Sequence, residues 1–121
     1  MSDDLRELVA DLTRAASVAP AQARAVVIRG AMNVKRDAQR FSAGISRAPH
    51  YPRSIGYDLS GTPSSIEAEV GPDKNKPQGP LGNIFEYGTS TSAPIAHLGP
   101  ALEREAPRFA AAIEALIEDV L

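Results

Sequence analysis

The sequence predicts an α+β domain: two N-terminal helices, an antiparallel β-hairpin or small sheet, and a long C-terminal helix packed on one face. Three observations carry this. Apolar residues step by three or four up to Phe41 and again in the last twenty-odd positions. Between them, residues 54–71 switch to a period of two. Proline and glycine cluster where one pattern gives way to the next. Helices on one side of a small antiparallel sheet make an α+β arrangement.

Residues 1–19 form the first expected helix. Leu5, Leu8, Val9 and Leu12 fall on one face, and Ser2, Asp3 and Asp4 suit its N-terminus. It ends near Val18, because the residue before Pro20 is driven out of the α region. Pro20 opens a longer helix over 20–44, since a first-turn proline gives up an N–H that had no partner anyway. Ala23, Val27, Ala31, Val34, Ala38 and Phe41 make its apolar stripe. Gly30 costs such a helix about 1 kcal/mol relative to Ala, which suggests a close approach by another helix. Gly44 is the expected stop.

Residues 45–56, with two prolines and a glycine, are expected as a loop. The hairpin over 54–71 places Ile55, Tyr57 and Leu59 opposite Ile66, Ala68 and Val70, with Gly61 to Ser64 as the turn. Residues 72–83 are rich in proline and glycine and are expected as an exposed, mobile loop. A segment over 84–94 follows. Ile84, Phe85 and Tyr87 anchor it, as a short strand or a helical turn, and Gly88 turns it with φ > 0. The C-terminal helix is expected over 95–121, starting as a short turn and kinking or restarting near Pro107. At 121 residues the chain fits one domain, and its aromatic content of 5% makes the core thin, so partner subunits are expected to add stability.

The same residues narrow the chemistry. With no cysteine, thiolate metal sites and cysteine nucleophiles are excluded. His50 and His97 lack zinc-ligand spacing, and no cofactor or metal is expected. Glu86 beside Tyr87 lacks a defined second catalytic group, and Ser90, Thr91 and Ser92 lack a nucleophile-elbow context. No phosphate-cradling loop is present. No catalytic residues are assigned, and an enzyme is not expected. No apolar run approaches the roughly 18 residues of a membrane span. The acidic start, MSDDLREL, is unlike a signal peptide, so a product made in a cytoplasm is expected.

Charge is uneven. From Arg24 to Arg53 seven basic residues face one acid, Asp37, while both ends lean acidic. Such a chain can contact nucleic acid, pair with oppositely charged faces of its own copies, or simply carry its arginines on a solvated helix face. No aromatics interleave the arginines, so sequence-specific binding is not expected.

The order of motifs carries a resemblance. Ala48-Pro49, Ser54-Ile55, Val70-Gly71, the box Phe85-Glu86-Tyr87-Gly88-Thr89, Pro94 and Pro100-Ala101-Leu102 follow one another over roughly residues 20–118. In this the chain resembles the head–tail joining or tail-completion proteins of long-tailed bacteriophages with non-contractile tails. It departs from them where Tyr51-Pro52 replaces a Thr-Gly pair and Pro94-Ile95 replaces a Pro-Phe. The resemblance implies a structural virion protein, assembled in the host cytoplasm. It would form a ring, commonly six-fold, where the head connector or stopper protein meets the tail tube, with DNA passing through unread. The alternative in the same setting is a tail-terminator ring capping the tube. The alternative of another class is a small cytoplasmic nucleic-acid-binding module using the basic helix 24–40.

The residues expected at subunit, connector or tail contacts are Arg24, Lys35, Arg36 and Arg40 on the second helix and Lys74 and Lys76 on the loop. Glu86, Tyr87, Gly88 and Thr89 of the box join them. The basic helix is expected to meet the acidic C-terminal helix of the next copy, with arginines lining a channel as the other arrangement.

Overall fold

The computed structural model describes residues 3–45, 47–62 and 65–120, and for positions 3–5, 8, 9, 12, 62, 65 and 120 the backbone course alone. The apolar stripe and caps expected on the first helix, and the tip of the expected hairpin turn at Pro63 and Ser64, lie outside the described residues. The element order is α1 (Asp3–Val18), α2 (Pro20–Phe41), α3 (Tyr51–Ser54), β1 (Ile55–Thr62) and β2 (Ser65–Pro72). A 3₁₀ turn (Gly79–Leu81), α4 (Gly82–Tyr87) and α5 (Leu98–Val120) complete it. This is the α+β plan the periodicities predict.

Ala19 separates α1 from α2 with a backbone outside the α region (φ −137°, ψ 68°), as the clash with the ring of Pro20 requires. The α2 stripe is buried as expected at Ala23, Val27, Ala31, Val34 and Ala38. Gly30 lets α5 come close: a Cβ built there would stand 3.0 Å from the Phe109 ring. The helix ends at Ser42, whose hydroxyl donates to the Ala38 carbonyl at 2.8 Å, and Gly44 takes a positive φ of 87°.

β1 and β2 pair antiparallel, with Tyr57 opposite Val70 and Leu59 opposite Ala68. The alternation holds, but burial fades along the hairpin. Ile55 at its base is buried, Tyr57 and Leu59 are half-buried, and Ala68 is exposed. One side of the sheet packs on α2, and no third strand pairs with it among the described residues.

Three sequence expectations change. Residues 51–54 of the expected loop form a helical turn, α3, which buries Tyr51 and Ser54. The segment 72–83, expected as a mobile loop, folds into consecutive turns. Lys76 N–H donates to Asp73 O, Gly79 N–H to Lys76 O and Leu81 N–H to Gln78 O. Gln78 locks it down from a left-handed conformation (φ 64°), its side chain accepting from the His50 N–H at 2.7 Å. Prolines that pre-set φ and glycines that fit tight corners make turns as readily as they make flexible chain. Finally, α5 runs unbroken through Pro107. That residue faces solvent, where water can serve the carbonyl its ring leaves free.

Two small cores result. Val34, Ala38, Ala48, Tyr51, Ile55, Phe85 and Ala101 form the first. Ala15, Ala16 and Ala23 form the second, with Ile66, Leu116 and Ile117 against them. Six of the ten buried members are alanines, three in each core, and these contribute little buried area each.

Candidate interaction surface

The Phe85–Thr89 box sits at the end of α4 and controls where α5 begins. The Glu86 carboxylate turns toward the first turn of α5. Its Oε1 accepts from the N–H of His97 at 3.0 Å and of Leu98 at 2.7 Å, and its Oε2 accepts from Gly99 at 3.2 Å. A helix start offers unpaired N–H groups and a positive dipole end, and a carboxylate satisfies both. Burial pushes the Glu86 carboxyl up, but the three N–H groups, with the His97 ring beside them, outweigh burial. Its net pKa falls below the ordinary glutamate value.

His97 is fully buried, and its ring joins the box to the first core. Its Nδ1 faces two acceptors, the Ile95 carbonyl at 2.9 Å and Glu86 Oε1 at 3.1 Å. That assigns the proton to Nδ1 and leaves Nε2 to accept the Tyr51 O–H at 2.6 Å. Burial, then the Glu86 charge, push the Tyr51 pKa up to about 12. Tyr51 also meets Phe85 edge-on at 5.0 Å between ring centres. This Tyr–His–Glu chain has the order of a catalytic relay, but Tyr51 and His97 have no exposed surface and every polar atom in it already has a partner. It is a built joint. Gly88 ends it with φ 74° and ψ −175°, a conformation reserved for glycine, and a Cβ there would stand 2.7 Å from Ser92 O and Pro94 N.

The basic helix is engaged first within its own chain. Asp37 of α2, buried, lies 3.3 Å from Arg40, 3.6 Å from Arg104 and 3.2 Å from Arg108. Arg108 also lies 2.8 Å from Glu105, which accepts from Asn33 at 3.0 Å, and Arg36 donates to Asn33. α5 therefore meets α2 of the same chain with arginine on the C-terminal helix and the acid on the basic one, the reverse of the polarity expected between copies.

The expected contact residues thus divide. Glu86 is consumed by the joint, and Gly88 shapes it. Arg36 and Arg40 make contacts inside the chain, with the Arg40 guanidinium also 5.3 Å from the Phe41 ring centre. Arg24, Lys35, Lys74 and Lys76 make no ion pair among the described residues, and Thr89 is exposed in a tight turn with Ser92. Lys74 and Lys76 border a polar recess beside the base of the hairpin, away from the other expected contacts. Tyr87 stands out at 78% exposure and Ile84 is also exposed, so of the three expected anchors only Phe85 is buried.

Tyr87 marks what the sequence reading missed. An apolar groove of about 740 Å³ runs over α2, floored by Val27, Ala31 and Val34. β2 walls it on one side with Ile66 and Val70, and α5 on the other with Leu102 and Phe109. Tyr87 stands at one end. Leu102 is 61% exposed. The signal in the sequence was Leu102 itself, beside Ala101, which is buried in the core: two adjacent apolar residues on a helix cannot share a face. Among the described residues, no helix is long and apolar enough to cross a membrane, and no group of three histidine, aspartate or glutamate side chains is placed to hold a metal ion. No family model, curated protein or solved structure matches the chain.

Proposed function

We propose that the chain is a structural assembly protein of a long-tailed phage that forms a closed ring at the head–tail junction around the DNA channel. One observation carries this reading: the apolar groove between β2 and α5, framed by exposed Tyr87 and Leu102, in a domain whose second core is built on three alanines. Exposed apolar surface of this kind, beside a two-stranded sheet with open edges, is stabilised by a partner. The Glu86–Gly88 box fits the same purpose, since it fixes the start of α5 and so sets one wall of the groove. The ring's other partners are the head connector or stopper protein and the tail tube. A terminator ring capping the tube uses the same surfaces.

The arginines gathered at Asp37 support a rival reading, a module that binds nucleic acid through phosphates. Sedimentation with a short DNA duplex at two salt concentrations separates the two. The assembly reading expects self-association that survives added salt and weak DNA binding. A monomer that binds duplex tightly at low salt, with a steep salt slope, contradicts it.

A further inference from the structure

α2 has a second apolar stripe on the side away from its core. Ala21, Ala25, Ile28 and Met32 follow one another at steps of four, three and four, the spacing of one helix face. Ala21, Ala25 and Met32 are exposed, and Met32 exposes 53% of its surface. At 100° per residue, Arg24 and Lys35 border this stripe on one side and Arg29 and Arg36 on the other. A helix with an apolar stripe on its solvent face between two rows of cations is built to be covered.

The groove is its complement. The stripe from Ala21 to Met32 and the groove wall from Leu98 to Phe109 each span eleven residue steps, about 17 Å of helix. The groove carries the opposite charge. Glu69, exposed on β2, borders both the groove and the polar recess of Lys74 and Lys76, with no ion pair among the described residues, and Glu103 stands exposed beside Leu102 on α5. Among the described residues, no basic one lines it.

We infer that the outer stripe of α2 of one copy lies in the β2–α5 groove of the next. Met32 seats near Leu102 and Tyr87, and the flanking Arg and Lys residues meet Glu69 and Glu103. The two surfaces are different patches of one molecule, so the contact is head-to-tail and repeats around an axis until it closes. α2 is then shared, its inner face flooring one groove and its outer face filling another. This rests on the ring reading and names the surfaces that would make it.

The absence of cysteine permits a clean test. Two proteins are made, one carrying Met32→Cys and one Leu102→Cys, and each is oxidised alone and in an equal mixture. A disulfide needs Cα atoms within about 7 Å, so it reports the contact directly. The mixture is expected to give a disulfide-linked heterodimer well above the dimer from either protein alone. A mixture with no dimer at millimolar protein overturns the inference, as does equal dimer from one variant alone, which marks a symmetric contact. A further pair of variants checks the charge: Lys35→Glu with Arg24→Glu is expected to weaken self-association at least tenfold, and adding Glu69→Lys with Glu103→Lys to restore it. If virions hold a ring of this chain but the mixture does not cross-link, the interface fails and the ring stands. If the mixture cross-links but virions lack the chain, the interface stands and the virion role fails.

Discussion

Glu86 accepts the backbone N–H of Leu98 at 2.7 Å across twelve residues of chain. One side chain in a six-residue helix thereby sets where the 23-residue α5 begins. Through α5 it sets the position of Leu102 in the groove.

Glu86→Ala removes the acceptor for three N–H groups and is expected to destabilise the fold by about 2 kcal/mol, near the upper end for helix caps because three charge-assisted bonds are lost together. Glu86→Gln keeps acceptor capacity and is expected to lose less. Urea midpoints at neutral pH check both.

The lowered pKa of Glu86 fixes a sign for pH. The folded state holds this proton less tightly than the unfolded chain does. The stabilisation is therefore complete above the ordinary glutamate value of 4.5 and is lost as pH falls through the lower folded value. Wild type is expected to lose stability on acidification below about 4.5 more steeply than Glu86→Gln does. Parallel acid curves for the two proteins would contradict the cap.

Tyr51 acts at the other end of the scale. Its pKa is raised from 10.0 to about 12, so the fold favours the protonated phenol. That stabilisation is present below pH 10 and is lost between 10 and 12. Tyr51→Phe leaves His97 Nε2 without its donor and is expected to be about 1–3 kcal/mol less stable at neutral pH. It should also lack the wild type's added loss in the alkaline window. Stability measured from pH 8 to 12 on both proteins checks the pair of effects.

Gly88→Val places a β-branched side chain at φ 74°, ψ −175° and drives its Cβ into Ser92 and Pro94. A loss above about 2 kcal/mol is expected from the backbone strain alone. Thermal unfolding checks it. Near-wild-type stability would mean that the turn relaxes and the box is not rigid.

The legible part of this fold was the part written in periodicity. The α2 stripe from Ala23 to Ala38 and the pairing of β1 with β2 follow from local spacing, and the positive φ of Gly88 follows from a glycine placed where the box must turn. The box was read as a contact site from the resemblance, with arginines of the second helix as the expected partners of Glu86. Its partners are backbone N–H groups twelve residues away, which no pattern of side chains reveals. His97 looked like an ordinary loop histidine, because its burial depends on Tyr51, 46 residues earlier. Asp37 was counted as a minor acid in a basic run. Only the antiparallel packing of α5 on α2 brings Arg104 and Arg108 to it. Leu102 beside Ala101 hinted at an apolar surface, but the groove itself needs walls from β2 and α5, far apart in the chain.

The proposed ring is tested most directly by electron microscopy of purified particles of the proposed parent phage, with this chain labelled. The account predicts a closed ring of labelled density at the upper end of the tail, around the channel. Mature particles that lack the chain would contradict it.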